Sequence, residues 1–195
     1  MSQTVEYFFD YVSPFSYLAD SQVPALVERT GAELIYRPFF LGGVMQASGN
    51  SPPATVPAKG KYMFSDIARW CERYGIELKF NPHFPVMTVK PMRAALVAQE
   101  QGVFPAFHAA LFGAMWRDEK NVADPEVLAE VITAAGLDAG KILGRIGDED
   151  VKEKLKANTA EAVERGAFGA PTFFVGDEMY FGNDRLDFLE AKLGG

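Results

Sequence analysis

Ser13-Pro14-Phe15-Ser16 sets two hydroxyls at i and i+3 between a β-branched and aromatic run, Thr4-Val5-Glu6-Tyr7-Phe8-Phe9-Asp10-Tyr11, and an apolar-periodic segment opening with Tyr17-Leu18-Ala19. The run reads as a strand and the segment as a helix. A redox protein of this layout would carry Cys-x-x-Cys at the junction, and here both sulfurs are missing. A hydroxyl at the first turn of a helix, followed by proline, still has chemistry open to it. Unpaired N–H groups and the positive end of the helix dipole favour an anion there. Without a second thiol the motif cannot shuttle a disulfide, so any anion it stabilises must arrive with a ligand. Ser13 also fits a plain N-cap ahead of Pro14, because serine is among the commonest capping residues.

The other reactive side chains point elsewhere. Cys71 is the single cysteine, which excludes an intramolecular disulfide. Ile67, Trp70, Cys71 and Tyr74 fall at i, i+3, i+4 and i+7, so Cys71 is expected in the buried stripe of an amphipathic helix. His83 lies in Asn81-Pro82-His83-Phe84-Pro85 and His108 in an apolar helical stretch, neither with a Cys, Asp or His neighbour at metal-ligand spacing. No metal site is predicted.

A chain of 195 residues, 48% hydrophobic and 13% aromatic, can bury a full core and is not disordered. Its net charge of −7 argues against a nucleic-acid partner, which requires a basic face. Any anionic ligand must therefore meet a local positive spot. The N-terminus has no basic region ahead of an apolar one, and no apolar run approaches the ~18 residues of a membrane span. The expectation is a cytoplasmic protein with no membrane partner and a reduced thiol.

The elements that must position Ser13 follow from periodicity. A strand at 4–10, a helix at 15–29 and, after Gly31, a strand at 33–38 make a βαβ unit with a right-handed crossover. Residues 41–61, rich in Gly, Ser, Pro and Ala, read as a long loop of the kind that is usually functional. From 62 to 141 strand signals nearly vanish, and helices are predicted at 63–74, 91–101, 105–117 and 125–135. This span reads as a helical subdomain inserted into an α/β domain made of residues 1–61 and 142–195. A helix at 148–165 follows, its charges, Glu161, Glu164 and Arg165 among them, read as a solvated face. Strands at 172–175 and 178–181 around Gly176-Asp177 read as a hairpin. A closing helix at 184–193 places Leu186, Leu189 and Leu193 on one face.

The order βαβ, inserted helices, α, ββα is that of a thioredoxin-like fold with an α-helical insertion. Gly169-Ala170-Pro171-Thr172 precedes the hairpin. A proline at a strand start is tolerated in trans, so its position alone does not prove a cis bond. In this fold context Pro171 is read as cis, beside the helix N-terminus, with the Ala170 backbone offered to an extended peptide-like ligand as an added strand.

Four segments in order carry a resemblance: residues 7–19; Gly49-Asn50 with Pro52-Pro53 and Lys59-Gly60; Phe168-Gly169-Ala170-Pro171-Thr172-Phe173-Phe174; and Phe181-Gly182-Asn183-Asp184-Arg185-Leu186. Together they resemble the 2-hydroxychromene-2-carboxylate isomerase family. That family is similar to the kappa-class glutathione transferases, both on the DsbA-like branch of the thioredoxin fold. The resemblance implies glutathione as cofactor, a small aromatic second substrate and a homodimer. It implies that Ser13 faces the glutathione sulfur and is catalytic, and that Ala170, ahead of Pro171, pairs with the cysteinyl backbone. Asn50 and Lys59, with Lys61 a competitor, would hold the peptide, while Asn183 and Asp184 would grip the γ-glutamyl end. Candidates to flank the second substrate are Phe15, Phe39, Phe40, Phe84 and Trp116, with Lys90 and Arg93 for a substrate carboxylate. Three activities are open: a glutathione-dependent isomerase, a kappa-like transferase, and a redox-dead peptide-binding module.

Overall fold

The computed structural model describes residues 3–194. Strand β1, Thr4–Phe9, sends Val5, Tyr7 and Phe9 into one apolar cluster and Phe8 into another, so both faces of it are covered. Burial on both sides is why its sequence runs apolar instead of alternating. β2, Glu33–Pro38, lies parallel to β1, with Tyr7 opposite Tyr36. β3, Thr172–Val175, runs antiparallel on the other side with Tyr7 opposite Phe173, and β4, Glu178–Phe181, closes the hairpin. The sheet has four strands in the order β2-β1-β3-β4.

The helix expected at 15–29 is two helices, α1 (Pro14–Asp20) and α2 (Val23–Thr30). Pro24 has no N–H to give to the Asp20 carbonyl, so the ladder cannot run through. The loop expected at 41–61 is also corrected. It holds α3 (Leu41–Ser48), a 3₁₀ turn (Pro53–Thr55) and the start of α4 (Pro57–Tyr74). Gly42 and Gly43 have poor helix propensity, but the ring of Phe40 lies where their Cβ atoms would be, and Leu41 and Val44 are buried with Phe8. Tertiary packing outweighs the propensity here. α5 (Val89–Glu100), α6 (Phe104–Trp116), α7 (Pro125–Ala134) and α9 (Glu149–Glu164) lie where they are expected. The short α8 (Ala139–Leu143), capped by Asp138 on Lys141 N, is an addition, and α10 (Leu186–Gly194) is preceded by a 3₁₀ turn, Asn183–Arg185.

α2 and α10 pack together on the Tyr7/Phe9 face, while α3 and α9 cover the Phe8/Phe174 face. Met92, Phe107, Leu111 and Val131 of the helical span join the cluster of Tyr7 and Phe9, so sheet and inserted helices share one core. A buried chain of polar contacts crosses the same boundary. Tyr11 Oη lies 3.0 Å from His108 Nδ1, and His108 Nε2 lies 2.8 Å from Asp20 Oδ1.

Not all the α9 charges are solvated as expected. Glu161 pairs with Arg37 and Arg165, and Arg165, at the C-terminal end of α9, reaches Glu6 Oε2 at 2.6 Å. The Arg165 guanidinium sits 3.9 Å from the Phe174 ring centroid, so this network fastens α9 to the sheet through both charge and ring. Cys71 is half-buried instead of fully buried, packed beside Met63 and Ile67, and burial pushes its thiol pKa up. No helix among the described residues is long and apolar enough to cross a membrane.

Candidate functional site

Ser13 stands at the junction of β1 and α1, and only 3% of it is exposed. Its Oγ accepts the Ser16 N–H at 3.1 Å, which makes it the N-cap of α1, and donates to the Ala170 carbonyl at 3.1 Å. Capping and contact with residue 170 are thus simultaneous. The backbone that aims Ser13 is held from below by Asp10, a fully buried carboxylate. Its Oδ1 accepts from Val12 N (3.1 Å), its Oδ2 from Leu41 N (2.9 Å), and its carbonyl from Ser13 N (3.0 Å). Burial pushes the Asp10 pKa up to about 6, against the nearby Thr88 hydroxyl and the hydrogen bonds from Leu41 and Val12, which favour the ion. Thr88 Oγ1 is buried near this carboxylate and makes no hydrogen bond of normal geometry.

Across from Ser13 the Ala170-Pro171 bond is cis, as expected, and Phe84-Pro85 is a second cis bond that the sequence reading did not anticipate. The Pro171 carbonyl accepts from Gly182 N at 3.0 Å, which brings the segment after β4 alongside. Gly182 has φ +100°, and a Cβ there would run into the Asp184 carboxylate. Asn183 is buried; its carbonyl accepts from Tyr74 Oη at 3.1 Å and its Nδ2 is buried without a partner. Asp184 is exposed and pairs with Arg185 Nη1 at 2.7 Å. Asn50 Nδ2 donates to the Phe168 carbonyl at 2.7 Å, tying the end of α3 to the strand-entry segment.

Ser13, Ala170, Pro171, Asn183 and Asp184 therefore form one contiguous constellation, joined to Asn50 through Phe168. Lys59 is exposed on the first turn of α4 and makes no hydrogen bond or ion pair with the others among the described residues, and Lys61 is likewise exposed. Phe39 and Trp116 are fully buried, Trp116 donating through Nε1 to the Tyr11 carbonyl, so both belong to the core and cannot flank a second substrate as expected. Phe15, Phe40 and Phe84 are half-buried. Lys90 is exposed, whereas Arg93 is half-buried with its Nε shielded and without an acceptor. Sequence reasoning treated Asp10 only as the end of a strand. The available signal was a carboxylate closing an otherwise apolar run just ahead of the serine motif.

Residues 4–194 match the model of the DSBA-like thioredoxin domain, and the chain belongs to that family. It is 35% identical over 195 residues to a 2-hydroxychromene-2-carboxylate isomerase of Sphingobium xenophagum, covering 99% of each chain. It is 29% identical over 206 residues to glutathione S-transferase kappa 1 of Rattus norvegicus, covering 98% of this chain and 91% of the relative. The fold superposes on a solved 2-hydroxychromene-2-carboxylate isomerase with TM-score 0.87 at 30% identity, covering 98% of this chain and 94% of that one.

Proposed function

We propose that the protein is a glutathione-dependent isomerase interconverting 2-hydroxychromene-2-carboxylate and trans-o-hydroxybenzylidenepyruvate, or a close analogue. The observation that carries this reading is the buried Ser13 hydroxyl 3.1 Å from the Ala170 carbonyl, in a motif with no sulfur of its own. Glutathione has two carboxylates, an ammonium, amide groups and a thiol, and the residues present suit it. Asn183 Nδ2 is a buried donor without an acceptor, Asp184 offers a carboxylate to the ammonium, Asn50 an amide, and Lys59 a positive charge. When bound, glutathione supplies a thiolate that adds reversibly to a conjugated carbon, lets the former double bond rotate, and leaves unchanged.

The chain's part is to hold that sulfur as an anion. A free thiol has a pKa of about 8.5, and lowering it by about two units requires about 2.7 kcal/mol of preference for the anion. One hydroxyl hydrogen bond to sulfur and the N–H groups at the start of α1, each contributing on the order of 1 kcal/mol, come close to that. Ser13 has a single hydrogen, now directed at Ala170. In the complex an amide N–H of the ligand takes over the Ala170 carbonyl and the hydroxyl turns to the sulfur, so no buried acceptor is left without a donor.

A kappa-like transferase is the second reading, favoured by the absence of a basic residue in 41–48 that could meet a substrate carboxylate. Mixing substrate with enzyme and substoichiometric glutathione, followed by a free-thiol count, separates the two. Many turnovers with the thiol count intact support the isomerase; a count falling one-for-one with substrate supports the transferase. No turnover across chromene carboxylates and aryl halides, despite glutathione binding, leaves a peptide-binding module.

A further inference from the structure

A cavity of about 560 Å³ opens between α3, α5 and α9. None of Ser13, Asn50, Lys59, Ala170, Asn183 or Asp184 lines it. Its walls are mostly apolar, with Phe40, Val89, Leu155 and Val163 among them, and three cations, Arg93, Lys152 and Lys156, line it together with one carboxylate, Glu164. Lys156 is paired with Glu153, and its ammonium feels the Arg93 charge as a repulsion. Arg93 has no ion pair among the described residues, and its Nε is buried without an acceptor. A guanidinium left unneutralised beside another cation, at the wall of an apolar cavity, is incomplete in a chain of net charge −7. A planar anion would satisfy both its charge and its fork of donors.

We propose that this cavity is a second ligand site, separate from the Ser13 constellation, for an amphipathic monocarboxylate. Its carboxylate is bound by Arg93 with support from Lys156, and its hydrocarbon body lies along Leu155, Val163 and the Phe40 ring. The volume is that of a small-molecule site. Of the three lining cations, Lys152 is paired with Glu149 and Lys156 with Glu153, so Arg93 is the one left for a ligand carboxylate.

The test is calorimetric titration of the full chain with decanoate, using n-decanol as the uncharged control and repeating the titration in saturating glutathione. Expected are saturable one-site binding of decanoate that glutathione does not displace, and a decanoate affinity about tenfold or more lower in Arg93→Met, the loss of one charge-assisted hydrogen bond. The decanol response should be unchanged in that variant. Ala47→Trp, at an exposed α3 position lining the cavity, should abolish binding by filling it while leaving glutathione affinity intact. No saturable decanoate binding at millimolar concentration, equal affinity in both variants, or displacement by glutathione would each overturn the second site. So would sedimentation showing that Ala47→Trp converts a dimer to monomers, because the face would then be an interface between copies. Failure here leaves glutathione binding at Ser13 untouched, since that is read in the same titrations.

Discussion

At the Ser13 hydroxyl two roles share one oxygen, because it accepts from Ser16 N and donates to Ala170 O. Ser13→Ala removes both and should lower turnover by about 10- to 150-fold with little change in glutathione affinity. The lost cap should also cost about 1 kcal/mol of stability. Glycine caps nearly as well as serine, so Ser13→Gly should keep more of that stability and recover none of the rate. Equal rates for wild type and both variants would leave Ser13 as a cap alone. Asp10 acts through pH. Its pKa stands at about 6 in the fold against an ordinary 3.8, so the folded protein holds that proton more tightly than the unfolded chain. The stability this confers is complete below pH 3.8 and is lost as pH rises through about 6, a change on the order of 3 kcal/mol. Asp10→Asn cannot titrate, so the advantage of wild type over this variant in urea unfolding should shrink across that window. A difference that stays constant with pH would mean that burial does not perturb Asp10.

Among the elements, the turn after β4 is the one on which the proposed γ-glutamyl contact rests. Gly182 adopts φ +100°, where a side chain is strained, and a Cβ would strike the Asp184 carboxylate. Gly182→Ala should therefore displace Asp184 and weaken glutathione binding about as much as Asp184→Ala does, by calorimetry; undiminished affinity in both would move the ammonium contact elsewhere. This turn also shows what the sequence could and could not reveal. The strands were legible because Thr4 to Phe9 and Thr172 to Val175 are aromatic and β-branched, and Ser13 and Ala170-Pro171 were legible because each is a contiguous motif at an element boundary. α3 was not, since Leu41-Gly42-Gly43 reads as loop until the Phe40 ring is seen lying over the glycines. Arg165 folded onto Phe8 and Phe174, and the fully buried Phe39 and Trp116, are likewise set by tertiary contacts that local periodicity does not encode, whereas the break between α1 and α2 was written in Pro24.

On the scale of the whole molecule, the scaffold is a DSBA-like thioredoxin domain, and its own motif holds two hydroxyls where disulfide exchange would need two thiols. A fold does not decide a reaction; the side chains at its site do. Ser13 and Ser16 are spaced at i and i+3 across the start of α1, with Ser16 N bonded to Ser13 Oγ at 3.1 Å and Ser16 Oγ buried without a partner. That spacing is short enough for a disulfide, and the α1 N-terminus favours a thiolate at position 13. The double variant Ser13→Cys with Ser16→Cys should therefore oxidise to one intramolecular disulfide, seen by mass spectrometry as the loss of two hydrogens. It should also gain glutathione-driven reduction of a disulfide substrate while losing any isomerase turnover. Cys71 should not compete, because burial raises its thiol pKa and it sits in the Met63/Ile67 cluster on α4. Peptide mapping that finds a bridge to Cys71, or a folded variant that stays reduced under oxidised glutathione, would show that this scaffold does not support disulfide chemistry at the 13–16 motif. A variant that forms the 13–16 disulfide and still isomerises would remove the Ser13 hydroxyl from the mechanism.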